Sequence, residues 1–507
     1  MSESADSAPR AATGSASDPH HAKRWWILLV IGVAQLTIFL DTTVVNIALP
    51  SAQADLAFGD ENRQWVVTAY ALAFGSLLLL GGRLVDLIGA KRSLMISIIG
   101  FGVASVLGGA ANGFAMLVTA RALQGVFAAL VAPAALSFLL TVFKDPKERV
   151  KAFGIYGAMG SGGLALGLVL GGALTDWLDW RWCLYVNVIF MLVVFGGAWL
   201  TMQNQQAEHR PERLDLPGTV TASAGLFSLV YGLSNAADGD WGGVDVWGYL
   251  VASVVLLSLF VVFELRSRTP LLPIRIVLHR NRGSAYLAMF LLGIGLFVLF
   301  LFLTYFLQLI LTFSAIESGL AFLPMIVGIA IGATIIPPVL EPKLGARLLI
   351  PGGLLLAAAG AFWLSQLTID SSYLGGIIAP SFIAGIGFGL VVALSTAVAT
   401  VGVQAEDAGA ASALVNTVQQ VGGSIGTALL STLAITAADN YVEGKEPTET
   451  LAIEALSESY TTAFFWGAVV FLGGAIVCVL LFDRFVTANP EPDGDSEHAG
   501  AVAVPGI

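Results

Sequence analysis

Apolar runs of about twenty residues, separated by short polar stretches, recur along almost the whole chain. Fourteen can be drawn, over residues 25–49, 65–82, 93–111, 114–140, 150–174, 182–202, 214–234, 246–264, 284–312, 318–340, 347–366, 373–400, 409–436 and 461–482. A helix rises about 1.5 Å per residue and the hydrocarbon core of a bilayer is about 30 Å thick, so each run is long enough for one crossing. The pattern predicts an all-α integral membrane protein with fourteen transmembrane helices. Tryptophans fall where such helices would meet lipid headgroups. Trp25, Trp26, Trp65, Trp177, Trp180, Trp182, Trp241 and Trp247 all stand at run ends, as interfacial anchors do.

Basic residues set the orientation. With the N-terminus inside, only Arg63, Arg181 and Lys445 face outward and Arg121 lies within a run; the rest of the 24 lysines and arginines fall on the cytoplasmic side. That asymmetry obeys the positive-inside rule and predicts a cell-membrane protein with both termini cytoplasmic. One missed or invented span would invert every later loop and destroy it. Residues 1–22 and 483–507 read as disordered cytoplasmic tails, and the first run as an uncleaved span. The longest segment between runs, 437–460, is acidic and predicted external. The Arg-rich stretch 266–283 reads as the main cytoplasmic connection, a natural hinge between two halves.

Composition narrows the class. Of 507 residues, 56% are hydrophobic and only 12% charged, with mean hydropathy +0.83; soluble chains carry about 25% charged residues. A net charge of −11 offers no basic face for nucleic acid. Cys183 and Cys478 sit in separate runs near opposite faces, which speaks against a disulfide or thiolate metal site. No lysine precedes Ser or Thr as a phosphate loop requires, and His20, His21, His209, His279 and His498 all lie in tails or loops. No enzyme, metal site or cofactor is expected.

Chemistry concentrates in the few polar positions inside runs. Asp41, in Leu40–Pro50, lies about 6 Å below the outer edge of the first run, counting the helical rise. A carboxylate at such depth costs several kcal/mol unless paired, hydrated or protonated, which marks it as a functional candidate. Burial favours its protonated form and a nearby cation its ionised form, a combination suited to proton exchange. The other reading is a carboxylate wet enough to serve only helix packing. Arg121, about 10 Å below the same edge, could share a polar layer with Asp41 if the first and fourth spans adjoin. Gln124, Gly125 and Ala128 share its face. A purely structural ion pair is the alternative.

Two glycine patterns complete the inventory. Gly163, Gly167 and Gly171, with Gly172 beside the last, clear one stripe of the fifth run, permitting close helix packing or a compliant seam. Gly82–Arg92 packs Gly82, Asp86, Gly89, Lys91 and Arg92 into one turn between the second and third runs, as suits helices that rock against each other at the cytoplasmic face. Asp86 is placed at the start of the third span, where its carboxylate could meet helix-terminal amides. Leu344–Arg347 echoes Ile88–Lys91, with Pro342 aligned to Asp86, as degenerate transporter repeats do.

Taken together, these motifs resemble the fourteen-span drug:proton antiporters of the major facilitator superfamily, the EmrB/QacA-type branch, over about residues 25–482. The Leu40–Pro50 motif is characteristic of that branch. Gly82, Leu84, Asp86, Gly89, Lys91 and Arg92 match the family's gating loop, with Leu87 and Ala90 where further basic residues are usual. Arg121, Gln124 and Gly125 match the proton-coupling motif. The glycines of the fifth span match the antiport motif, with Leu168 in place of its proline and hence without the expected kink.

The resemblance implies two six-helix bundles (23–202 and 284–482) around a central cavity, with 203–265 as an inserted helix pair. It implies proton-driven export of amphipathic, hydrophobic or cationic small molecules by a monomer in the lipid bilayer, energised by the proton gradient without a cofactor. Tyr70, Tyr305, Gln308, Asn416 and Gln420 are candidate cavity residues by span position. Export of one metabolite, lipid or antibiotic, proton-coupled uptake, and a non-transporting sensor or scaffold are the competing readings.

Overall fold

The computed structural model describes residues 23–143, 145–203, 215–237, 243–267, 272, 274–401, 403, 408–446 and 448–483. Residues 1–22 and 484–507 of the expected tails lie outside them, as does Trp241. The described chain is almost wholly helical. Its first helices are α1 (Arg24–Leu56), α2 (Asp60–Ile88), α3 (Ala90–Gly109), α4 (Phe114–Val142), α5 (Pro146–Trp177) and α6 (Trp182–Thr201). Then come α7 (Leu216–Ala237), α8 (Val244–Arg266), the short α9 (Ile274–Leu278), and α10 (Arg280–Tyr305), which runs on into a π-helical turn, Phe306–Ile310. The last are α11 (Ala315–Ala321), α12 (Leu323–Thr334), α13 (Ile336–Leu364), α14 (Tyr373–Gly376), α15 (Ile378–Thr400), α16 (Ala408–Val442) and α17 (Glu449–Leu481).

Eleven helical segments among the described residues are long and apolar enough to cross a membrane. The predicted fourteen exceed that number by α2, α5 and α7. Their 29, 32 and 22 residues suffice in length. Outward faces are oily. Ile96, Ile99, Val103 and Val106 on α3, at helical spacing, are all roughly half exposed or more, a stripe that suits lipid and not water.

Long helices joined by short turns place Arg24, Ile88 and Arg280 at one end, here the basic end, and Leu56, Trp177 and Ser314 at the other, the distal end. Glycine makes the sharpest of these turns possible. Gly89, at φ 90° and ψ 146°, ends α2 and starts α3 without a loop. Gly345, at φ 70° and ψ 162°, breaks α13 in the same way. A side chain is strained in that backbone region, so the Ile88–Lys91 and Leu344–Arg347 echo is an echo of geometry. Cations at the basic end serve helix ends. Lys23 and Lys91 donate to the carbonyls of Leu200 and Met202 at the end of α6 (3.3 and 2.6 Å), Arg280 to that of Leu481 (2.6 Å) and Arg282 to that of Val401 (3.2 Å).

In α1–α6, α1 packs on α5 and α6, α2 on α4, and α3 on α4 and α6. In α10–α17, α10 packs on α15, α16 and α17, while α15 also holds α12 and α13. The two sets meet along α2 and α16 and where α11 lies on α5; α7, paired with α8, rests on both α2 and α16. Towards the distal end one buried core runs through both sets, from Val44, Ile47 and Leu168 to Tyr305, Phe322 and Phe464. Nearer the basic end α1–α6 keep a core of their own around Phe74, Phe101, Phe138 and Val194.

Three expectations change. The segment 437–460 is mostly helix rather than loop, because α16 continues to Val442 and α17 starts at Glu449; Ala- and Glu-rich sequence keeps its own hydrogen bonds beyond the apolar run. Trp180 is buried, not interfacial, and donates its indole N–H to Asp55 (3.1 Å). Asp86 lies in the last turn of α2 rather than at the start of α3, where its own helix dipole disfavours a carboxylate; its side chain is outside the described residues.

Candidate functional site

A closed polar cluster sits inside α1–α6, where five helices converge. Asp41 of α1 and Arg121 of α4 form an ion pair, Nη1 to Oδ2 2.6 Å, at side-chain exposures of 0% and 2%. The same Nη1 donates to Gln124 Oε1 (2.8 Å), and Arg121 Nε donates to the carbonyl of Val66 on α2 (3.2 Å). Gln124 Nε2 donates to Asp41 Oδ1 and to Ser105 Oγ of α3, both at 2.9 Å. From α6, Asn187 Nδ2 donates to Asp41 Oδ1 at 2.6 Å. The guanidinium also lies 4.6 Å from the centre of the Tyr70 ring. So Asp41 takes hydrogen bonds from three side chains. A carboxylate deep in an apolar bundle requires such pairing.

Local sequence explains the convergence. Arg121 and Gln124 are one helical turn apart and point the same way. Gly125 beside them leaves no side chain between α4 and α2: a Cβ there would strike the carbonyl of Tyr70. That close approach lays the Tyr70 ring on the guanidinium. One turn nearer the distal end α1, α2, α4 and α6 line a small apolar pocket with Val45, Ala48, Val66, Leu117 and Cys183, beside Trp180.

Sequence reasoning paired Asp41, Arg121 and Gln124, and the structure brings them together. It did not find Asn187 or Ser105, although Asn187 is a polar residue inside an otherwise apolar run, the same signal that marked Asp41. Tyr70 belongs to this cluster rather than to a cavity wall. The other cavity candidates lie apart. Tyr305 donates to Gln53 Oε1 (3.0 Å) and Gln308 Nε2 to the carbonyl of Ile47 (3.0 Å), both joining α10 and its π-helical turn to α1 at the distal end. Asn416 and Gln420 are half-buried on α16, Gln420 against Gly75 of α2.

Two more contacts close the distal end. Arg63 of α2, 6% exposed, sits over the rings of Tyr305 (4.2 Å), Tyr460 (5.8 Å) and Phe302 (6.0 Å) of the second set. Asp176 of α5 accepts from the backbone N–H groups of Ala315 (3.1 Å) and Ile316 (2.9 Å), the first turn of α11. Ser314 and Glu317 complete that helix start as a capping box. The donors that a helix start leaves open are thus partly filled from across the seam.

The glycine stripe divides by partner. Gly163, Gly167 and Gly171 press on Leu36, Leu40 and Val44 of α1, inside one helix set; only Gly172 faces the other, against Ala315 and Ile316. Its counterpart is Gly319, which meets the carbonyl of Leu168. In the 82–92 turn, Lys91 is committed to the end of α6 and Arg92 is exposed. A Cβ on Gly82 would meet open space, whereas one on Gly81 would strike the Ala129 carbonyl.

Outward-facing apolar helices packed around a buried charge pair fit a multi-pass membrane transporter. The sequence profile of the Major Facilitator Superfamily matches residues 31–427, and the chain belongs to that family. It is 46% identical over 471 residues to the puromycin resistance protein pur8 of Streptomyces alboniger, covering 92% of this chain and 93% of that protein. It is 40% identical over 409 residues to the cephamycin export protein CmcT of Amycolatopsis lactamdurans, covering 80% and 84%. In fold it is similar to a bacterial homologue of the human lysosomal transporter spinster, with TM-score 0.63 at 18% identity, covering 92% of this chain and 97% of that one.

Proposed function

We propose that this chain is a proton-coupled exporter of amphipathic, hydrophobic or cationic small molecules, working by alternating access as a fourteen-span carrier of the EmrB/QacA type. The observation that carries the proposal is the Asp41–Arg121 pair, buried in the bundle and saturated with hydrogen bonds. Ionisable groups at such depth are costly and mark ion pathways. Asp41 exchanges the proton, Arg121 and Gln124 set its charge state, and the Gly82–Arg92 turn, with Asp86, gates the basic end. α2, α5 and α7 supply the three further spans. The excess of Lys and Arg puts the basic end and both termini in the cytoplasm, so the closed distal end is external. The two relatives, named for puromycin resistance and for cephamycin export, favour a carrier dedicated to an antibiotic over a general multidrug pump.

Proteoliposomes with an imposed pH gradient and a panel of antibiotics and lipophilic cations test this. Export predicts substrate-dependent proton flux opposite in direction to the substrate. Flux in the same direction would make the protein a symporter, and no flux with any panel member would remove proton coupling.

A further inference from the structure

The inference rests on the reading of Asp41 as the proton site and concerns how the cluster tolerates two protonation states. When Asp41 is ionised every neighbour donates to it. When it is protonated, its new O–H is a donor that needs an acceptor, and an unmet buried donor is costly. Arg121 has no acceptor. Gln124 is locked, because its Oε1 accepts from Arg121 while its Nε2 serves Ser105 as well as Asp41; reversing its amide would turn Nε2 onto the guanidinium. Asn187 differs. Its side chain is fully buried, its Nδ2 holds Asp41, and its Oδ1 is buried without a hydrogen-bond partner. Such an orphaned acceptor calls for an explanation.

The geometry points to Asn187 as a reversible amide that positions Asp41 in both states, donating through Nδ2 to the carboxylate and, after a half-turn about its Cβ–Cγ bond, accepting through Oδ1 from the carboxylic acid. The proton comes from water and adds to Asp41 Oδ1. The Nδ2–H···Oδ1 bond is given up, the O–H···Oδ1 bond replaces it, and release reverses both. Arg121 stays hydrogen-bonded throughout to Gln124 and the Val66 carbonyl, with its guanidinium on the Tyr70 ring. The other titratable groups near Asp41 leave this role open: Tyr70 of α2 lies with its ring on Arg121, and Cys183 of α6 has its sulfur against Thr175 and the Gly171 carbonyl. From α3 the neighbour is Ser105, and α5 meets the adjacent Leu40 and Thr43 of α1 through Leu164 and Gly167, none of which titrates in this range.

Infrared difference spectra between high and low pH, on the full-length protein in lipid, read both partners. The wild type should show a carboxylic-acid carbonyl band that Asp41→Asn removes. In Asn187→Leu that band should shift to the higher frequency of an acid with no acceptor, and Asn187→Thr, whose hydroxyl both donates and accepts, should return it. A band lost in Asp41→Asn but unmoved in Asn187→Leu would overturn the amide role and leave the proton site standing. No band attributable to Asp41 would overturn both. Should the leucine variant fail to fold, wild-type protein with carbon-13-labelled asparagine decides: an asparagine carbonyl signal must change in step with the acid band, and a silent one sinks the proposal.

Discussion

Replacing Arg63 by alanine is expected to loosen the distal end. The guanidinium is 6% exposed and lies within 4.2–6.0 Å of three ring centres, all on the opposite helix set. A desolvated cation–ring contact is worth about 2 kcal/mol. Because opening must pull α2 from α10 and α17, that energy belongs to the closed state alone and therefore shifts the equilibrium; a contact kept in both states would shift nothing. At 1.4 kcal/mol per factor of ten, about 2 kcal/mol favours opening by roughly thirtyfold. Arg63→Lys, which keeps the charge but not the flat stacking surface, should fall between the two. Spin labels at Leu178→Cys and Leu374→Cys, both exposed at the distal end, read the distance directly, since the native Cys183 and Cys478 are fully buried. The expected result is a new long-distance population in Arg63→Ala. Distances identical to wild type would refute the view that this cage holds the seam shut.

Three further outcomes are expected. Arg121→Ala should destabilise the detergent-solubilised protein by about 3–5 kcal/mol, as breaking a buried pair does, and adding Asp41→Asn should restore much of that; strictly additive losses in chemical unfolding would show that the two do not couple. Gly167→Leu should cost about 1–3 kcal/mol or more by forcing α5 off α1, while Gly82→Ala, with open space around it, should leave thermal stability unchanged; the reverse order would contradict the packing described. Asp86→Asn should slow turnover with little loss of folded protein and widen distances across the basic end, and unchanged turnover with unchanged distances would reduce the 82–92 turn to a topological anchor.

Much of this was legible because bilayers impose simple rules. A run of apolar residues has little choice but helix, and Asp41 and Arg121 stood out as charges where charges are dear. Their meeting needed only that α1 and α4 adjoin. Asn187 and Ser105 went unseen because one neutral polar residue in a run reads as ordinary packing until a partner is placed beside it. Tyr305 and Gln308 were placed by depth alone, which does not say which partners a helix face meets; they bond Gln53 and Ile47 of α1. Helix ends beyond the bilayer, as at Val442 and Glu449, escape any reading by hydropathy, since water lets a helix continue without apolar residues. The equivalence of Gly89 and Gly345 lies in backbone angles, which a four-residue match hints at but does not measure.

The central claim is that Asp41 carries the coupled proton, and Asp41→Asn tests it most directly, because the amide keeps the shape of the acid and cannot ionise. In proteoliposomes under an imposed pH gradient, substrate-dependent proton flux and uphill substrate movement should both vanish in the variant, while the protein remains folded and inserted. Wild-type-like proton flux and accumulation by Asp41→Asn would contradict the account and move the proton site elsewhere.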